Sequence, residues 1–465
     1  MRDDRSTLGR RQLLRTLAGA AGIPLVGGAA QPLSTIGIIG AGMAGISLAW
    51  LLDGQRDVLL LESQPKIGGN VQSVAVNLDG QSFVVDVGAQ YFNPGPYPTY
   101  SKLLSLLGLT AEEHSFTASI TLFNPSESTP RFVSPILFQR LWPLLAPWNW
   151  AGIGAFATAF VSAQQREEEN ASWDLTMEAW LQTLNLTEQQ WAGMIVPWAA
   201  SLYSASIEEA MGYSARAAMI FAAKALPANP LEPILYYVLN KGMAEVLNAM
   251  LAQTTTVRAL TATAVAAVEQ NPQGGFALRS TDGRTFHVDE LVFACSGPAA
   301  LSLLAGIPET GAQRAALSAI EFRPSRLALH TDPIYAPADP IEWSFFNAEI
   351  EDGYCEASMW LANVLAIPQP QTAAKLWKSW ITHRRRQPNQ VLYQAQFQHM
   401  VPTPATINAQ TALNGLQGNG GIWFAGGYTR PYDSQETALL SAMEIAQGMS
   451  VNSSRLPALA GSMPF

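Results

Sequence analysis

Ile36-Gly37-Ile38-Ile39-Gly40-Ala41-Gly42-Met43-Ala44-Gly45, followed by Val58-Leu59-Leu60-Leu61-Glu62, is the stretch whose reading decides the fold. The apolar run 36–39 has the composition of a buried parallel strand. Residues 40–45 form a complete G-x-G-x-x-G, and 46–52 continue as an apolar helical pattern. In such a motif Gly40 permits the tight turn, Gly42 lets the backbone approach a diphosphate, and Gly45 lets the helix pack close to the strand. The amides of Met43 and Ala44 then open the helix, with the positive end of its dipole behind them. Glu62 ends the second strand about 20 positions later, where a carboxylate accepts hydrogen bonds from ribose hydroxyls. Glycine-rich turns alone are common. Strand, glycines, helix, second strand and terminal acid in this order specify a dinucleotide site.

The 465 residues suffice for two domains, or for one domain with a large insertion. Charged residues are 14% of the chain, against roughly 25% in an average soluble domain. That deficit points to large buried surfaces, a wide apolar ligand site or a contact with membrane. A net charge of −9 without a basic stripe excludes nucleic acid as a partner. Cys295 and Cys355 cannot build the usual four-ligand metal site, so no metal is expected. Cys295 sits in an apolar run and reads as a small core residue, with a disulfide as the alternative.

Residues 1–33 stand apart from the fold. Gly9-Arg10-Arg11-Gln12-Leu13-Leu14-Arg15 resembles a twin-arginine export signal. The Ala/Gly-rich segment 17–30 ends in small residues suited to cleavage after Ala30, which predicts an exported, periplasmic protein. An uncleaved anchor and a disordered arm are the alternatives. That route carries folded chains, which suits a protein that takes up a bulky cofactor before export.

Beyond Glu62 and Ser63 come Gly68-Gly69-Asn70 and then Phe83-Val84-Val85-Asp86-Val87-Gly88-Ala89-Gln90-Tyr91-Phe92-Asn93. An acid, a glycine pair and a strand ending in D-x-G resemble the flavin-containing amine oxidase superfamily. The aromatic-Asn pair resembles its bacterial NAD/FAD-binding members encoded near cyclopropane fatty acid synthases. The likeness recurs along the chain at Lys241-Gly242-Met243, at the strand with Val265, at residues 289–294, at Ala425-Gly426-Gly427 and at Gln435-Glu436-Thr437. It implies an α/β fold: a doubly wound, Rossmann-like FAD-binding domain in three pieces (34–100, 235–320 and 415–465) with an inserted α+β substrate domain (101–234 and 321–414). It also implies FAD contacts at Gly40, Ala41, Gly42, Met43, Ala44, Gly45, Glu62, Ser63, Gly68, Gly69, Asn70, Gly88, Ala89, Gln90, Val265, Gly426, Gly427, Gln435, Glu436 and Thr437.

The substrate half is read more coarsely. Residues 172–181 have apolar side chains at helical spacing with Ser172 as cap, and Trp191, Ile195 and Trp198 continue the pattern. The aromatic core of a helical cap and an apolar substrate channel both fit. The charge-free run 143–163 is interrupted by Pro143, Pro147 and Asn149, and its clean part is short of the ~20 residues a span needs. It reads first as a buried cap helix and second as a peripheral membrane contact. His383-Arg384-Arg385-Arg386 reads as a solvated face, with a contact to anionic lipid as alternative.

The chain departs from the resemblance at several points. Gly427 stands where relatives often carry an acid, Asn70 replaces an arginine, and Ser434 replaces an aromatic that flanks amine substrates. The lysine that many amine oxidases hold near the flavin N5 falls near Arg326, which cannot serve as a neutral base. Arg326 and His330 read first as ordinary strand residues. Tyr91 and Arg326 remain the candidates for the pocket. No cysteine precedes the C-terminal turn at thioether spacing, so FAD is expected to bind non-covalently. The reading is an FAD-dependent oxidoreductase that takes a hydride equivalent from a small apolar substrate, lipid-like, aromatic or amine. Its alternatives are an amine or amino-acid oxidase using O2, a flavin-dependent isomerase, and a non-catalytic flavin- or lipid-binding protein.

Overall fold

Apolar strands separated by helices build a parallel sheet that the chain visits three times. The computed structural model describes residues 34–460 apart from 230 and 368; the export signal expected within residues 1–33 lies outside them. Five parallel strands run in the order Val257–Leu260, Asp57–Leu61, Thr35–Ile39, Glu290–Phe293, Ile422–Phe424. Ile39 stands opposite both Leu61 and Phe293, and Phe293 stands opposite Phe424. Both faces are covered, as continuous apolar strands require. Helices Met43–Leu52, Ala244–Ala252 and Gln435–Gly448 pack on one side. A three-stranded antiparallel sheet (Val265–Gln270, Phe276–Ser280, Thr285–Val288) and helices Gly297–Leu304 and Gly311–Ser318 cover the other. This is the Rossmann-like α/β arrangement expected from the sequence.

The second large sheet is mixed. Its main path is Val391–Met400, Phe322–His330, Trp377–Trp380, Tyr354–Trp360, Phe346–Glu351, Ile120–Phe123, Phe132–Val133, with Ala205–Ser206 paired onto Tyr354–Trp360. Strand alternation sends Leu327, Leu329, Trp380 and Phe397 to one face, against a cluster that includes residues of helices Trp150–Glu168, Val196–Tyr203 and Ala215–Ala225. The opposite face carries Arg326, Ala328 and His330.

On that opposite face Glu349 and Glu356 are paired directly across two antiparallel strands. Like charges there repel, and both side chains are buried. Arg384 resolves the conflict: it lies 2.5 Å from Glu349 and 3.4 Å from Glu356 and is itself buried, while Arg386 adds a second cation to Glu349. The basic cluster 383–386 is therefore not simply a solvated face. Arg385 alone of its arginines is mostly exposed, at 72% of its side chain.

Two local expectations change. The helix foreseen from Ser172 begins at Met177, where the Thr176 hydroxyl accepts from the Ala179 amide (3.2 Å). Ser172 instead closes a turn with Asp174, a local bond that competes with helix formation. The charge-free run becomes helix Trp150–Glu168, which buries only one side (Gly152, Ala155, Phe156, Ala159, Ala163). Among the described residues no helix is long and apolar enough to cross a membrane.

Candidate cofactor and substrate site

All five parallel strands end at one edge, and the glycine turns lie along it. The Gly40 amide donates to the Leu61 carbonyl (2.8 Å), Ala294 to Ile39 (2.9 Å) and Ala425 to Phe293 (2.9 Å). The strand order therefore fixes a sequence along the edge: Glu62, then Gly40 to Gly42, then Ala294, then Gly426. Ligands of open α/β sheets bind outside this carboxyl edge.

Three glycines of the first turn have different reasons to be glycine. Gly40 has φ +111°, and a Cβ there would sit 2.6 Å from the Ala294 carbonyl oxygen; one on Gly45 would sit 2.0 Å from that of Gly40. Those two serve the fold. Gly42 has φ −84°, and its Cβ would meet only the Gly68 oxygen at 3.6 Å and the Gly69 Cα at 3.8 Å. The protein alone tolerates a side chain there, so the bare backbone serves what lies against it. No side chain caps helix Met43–Leu52, which leaves its N-terminus to an anionic ligand.

The remaining predicted residues gather around this turn. The Gly68 amide donates to the Ala41 carbonyl (2.9 Å), laying Gly68-Gly69 beside the first turn, and the Asn70 carbonyl accepts from Ala89 (2.9 Å) next to Gly88. Glu62 accepts from the Ala41 amide at Oε2 (2.8 Å), and from the Ser63 hydroxyl (3.1 Å) and Gln64 amide (2.8 Å) at Oε1. A carboxylate offers about four acceptor directions, so one on Oε2 remains for a sugar hydroxyl. Thr263 donates to the Glu62 carbonyl (2.7 Å), which holds Val265 near the same tip. Asp86 binds the Ser73 hydroxyl and accepts from the Met243 amide (3.0 Å). It thereby caps the helix that follows Gly242, and explains why D-x-G and the later Gly-Met recur together.

At the other end of the edge, the Gln435 side-chain Nε2 donates to the Tyr91 carbonyl (3.0 Å). Two polar atoms here, Gln90 Oε1 and Tyr91 Oη, are buried without a partner. Buried polar groups are normally bonded, so these await a ligand. An uncapped helix start, a spare Glu62 lone pair and these orphans fit a bound FAD.

Two predicted contacts are redirected. The Glu436 carboxylate accepts from the Thr99 (3.1 Å) and Tyr100 (2.7 Å) amides and so caps helix Pro98–Leu106; its side chain serves the fold. The Thr437 hydroxyl closes a capping box with Ser434. Both remain at the start of helix Gln435–Gly448, whose backbone faces the site.

Arg326 is exposed on the outward face of its strand, donating to the Ile381 carbonyl (3.0 Å), so it is not a pocket residue. The inward lysine comes from the next strand: Lys378 pairs with Leu329 and is 2% exposed. Its Nζ lies 4.5 Å from the centre of the Tyr91 ring, 3.3 Å from the Gly88 carbonyl and 3.4 Å from that of Asp86. No carboxylate among the described residues forms an ion pair with it. Burial brings its pKa down to about 7, against the opposing pull of Asp86, whose own is pushed up to about 6 by burial. His399, against Trp380 (5.2 Å between rings), is half-buried with its Nε2 shielded and unpartnered, and desolvation brings its pKa down to about 4, which favours the neutral ring.

Tyr91 packs edge-on against Phe345 (4.9 Å) and Phe116 (5.7 Å), and Phe116 faces Tyr236 (6.4 Å). Tyr91, Tyr236 and Phe345 keep part of their surface free. Sequence reasoning missed Lys378. The available signal was one lysine at an inward position of Trp377-Lys378-Ser379-Trp380. Cys295 and Cys355 are both free.

A model of flavin-containing amine oxidoreductases matches residues 43–334. Solved structures of similar fold include a CLA-producing fatty acid isomerase from P. acnes (13% identity, TM-score 0.63, covering 90% of this chain and 99% of that one). A putrescine oxidase bound to putrescine is similar at 14% identity and TM-score 0.61, over 90% and 99%. Cyclohexylamine oxidase from Brevibacterium oxydans IH-35A is similar at 17% and 0.58, over 90% and 100%. Among curated proteins no relative matches. With a glycine-lined sheet edge fitted to FAD and a family match over more than half its length, the chain belongs to the flavin-containing amine oxidoreductases.

Proposed function

We propose that this FAD-dependent oxidoreductase acts on an apolar, lipid-like substrate, passing a hydride equivalent from it to the flavin. The observation that carries the reading is the wall around Lys378: aromatic rings of Tyr91, Phe116, Tyr236 and Phe345 beside one buried amine that has no carboxylate partner. Such a wall removes apolar surface from water, and a lysine with a pKa near neutrality can take up or return a proton. FAD, when bound, supplies the hydride acceptor. The chain's own work is to orient the substrate against Tyr91, exclude water with the helical cap, and hold the proton at Lys378 Nζ.

A flavin-dependent isomerase is the second reading. It is favoured by the same lysine, which can return the proton it takes, and by the likeness to a fatty acid isomerase. The amine-oxidase reading is supported by the likeness to the putrescine and cyclohexylamine oxidases, and weakened by Ser434 at the aromatic position. The test is anaerobic mixing of the holoprotein with unsaturated fatty acids, terpenoids and amines. Bleaching of the flavin by a lipid supports the proposal. Bleaching by amines alone, with peroxide on readmitting air, replaces it with amine oxidation, and lipid turnover without net electron transfer replaces it with isomerisation.

Contact with a lipid surface belongs to the same proposal. Residues 141–165 carry no charge, and Leu145 (80%), Trp150 (59%) and Val161 (61%) stay exposed beside Phe138 (89%). Exposed Trp and Leu on a charge-free segment suit the membrane interface. Flotation with vesicles is expected for the full chain and lost on Leu145→Ser with Trp150→Ser; no flotation would remove the contact. Export of the folded holoprotein through residues 9–15 completes the proposal and predicts a mature N-terminus at Gln31 by mass spectrometry.

A further inference from the structure

The turn Ile136–Arg140 carries a cation that the protein does not neutralise. The turn closes through the Arg140 amide, which donates to the Ile136 carbonyl (2.7 Å), and the Ile136 amide, which donates to that of Arg140 (3.0 Å). Phe138 stands at its tip, almost fully exposed and with φ +63°, a backbone angle that a bulky side chain rarely adopts. Asn149 ties the following segment to strand Phe132–Val133: it accepts from the Val133 amide (2.9 Å) and donates to the Val133 (2.8 Å) and Pro143 (3.2 Å) carbonyls. The Arg140 guanidinium donates to the carbonyls of Ser134 (2.7 Å) and Trp343 (2.9 Å) and to the Ser344 hydroxyl (2.9 Å). All of these acceptors are neutral. Burial brings its pKa down to about 10, which leaves the group charged at neutral pH. Its Nε and the nearby Trp142 Nε1 are donors without an acceptor among the described residues. The surrounding sequence is equally one-sided. Residues 128–165 contain no Asp or Glu, in a chain with 36 of them, and only two arginines. Arg131 is neutralised by Glu127 (2.6 Å), so Arg140 keeps the uncompensated charge of this stretch.

We propose that this segment docks on an anionic lipid surface, with Phe138 and Leu145 in the acyl layer and a headgroup phosphate as the counter-ion of Arg140. This site rests on the lipid contact proposed above and names the headgroup that contact selects. Apolar exposure alone fits any bilayer. The unpaired guanidinium and its idle donors fit one whose surface is charged, because arginine is suited to phosphate. Anionic leaflets attract a basic group that sits beside inserted apolar residues. The net charge of −9 repels such a surface from the protein as a whole, which turns the acid-free segment toward it.

The test is flotation of the full-length holoprotein with phosphatidylcholine vesicles, with and without phosphatidylglycerol. Gln139 is exposed beside Arg140, so Gln139→Glu supplies a counter-charge without touching the bonds of the guanidinium. Wild type is expected to bind the phosphatidylglycerol vesicles more tightly than the neutral ones. Gln139→Glu and Arg140→Gln should each lose about fivefold on the charged vesicles and keep wild-type binding to the neutral ones. Arg140→Lys, which restores the charge, should retain most of the preference. Equal binding of wild type to both compositions, or equal binding of wild type and Gln139→Glu to the charged one, overturns the headgroup site and leaves the apolar contact standing. Wild type that floats with neither composition removes the apolar contact itself, and this site with it.

Discussion

The two sheets bind their partners by different means. At the edge of the parallel sheet the working groups are mostly backbone: glycines, a helix N-terminus and carbonyls, with the Glu62 carboxylate beside them. On the mixed sheet they are side chains delivered by strands far apart in the chain, Leu329 and Lys378 being neighbours only through pairing. A backbone site needs residues at fixed spacing and is written in the sequence locally. A side-chain site depends on which strand lies beside which, and on which face each residue takes.

The comparison breaks first at the ionic cluster behind the mixed sheet. Arg384→Met leaves Glu349 and Glu356 facing each other in the interior, and removing one partner of a buried pair costs about 3–5 kcal/mol. The urea midpoint should fall accordingly. A midpoint within error of wild type would mean that the two carboxylates are neutral in the folded state and that Arg384 compensates nothing.

Lys378→Met tests the side-chain site itself. Turnover should fall by roughly a hundred- to ten-thousandfold, with flavin content unchanged. The pH profile gives the sign. Burial lowers the Lys378 pKa to about 7, so the amine is charged below that pH and neutral above it. If it takes the proton, kcat/KM rises with pH through about 7, and the rise disappears in the variant. A wild-type profile flat between pH 5 and 9 would assign Lys378 to structure alone.

How much was legible follows from this difference. The strand–turn–helix at residues 36–52, the glycine pair at 68–69 and the D-x-G at 86–88 were readable because their spacing is the function. The resemblance points to Arg326 as a pocket residue because it aligns with the strand that carries the lysine elsewhere. Strand alternation turns it outward, while Lys378 enters from the neighbouring strand. The family resemblance of the segment Gln435-Glu436-Thr437 puts Glu436 at the cofactor. Its carboxylate is spent on Thr99 and Tyr100, and no local signal says that helix Pro98–Leu106 needs a cap from 336 residues away. Arg384 looked like surface because three arginines in a row usually are.

A smaller effect sharpens the case of Glu436. Glu436→Gln keeps the shape but weakens two bonds at a helix start, and is expected to cost about 1 kcal/mol without changing FAD affinity. A large loss of FAD affinity at unchanged stability would return Glu436 to the cofactor site.

The central claim is that the edge beside Gly42 is kept bare for a diphosphate and not for the fold. Gly42→Ala measures this most directly, because its backbone angles suit alanine and no protein atom lies closer than 3.6 Å to the new Cβ. The account predicts a variant with a wild-type urea midpoint and an FAD affinity at least about tenfold weaker. A variant that binds FAD as wild type does, or one that loses its fold while Gly45→Ala keeps it, would contradict the account.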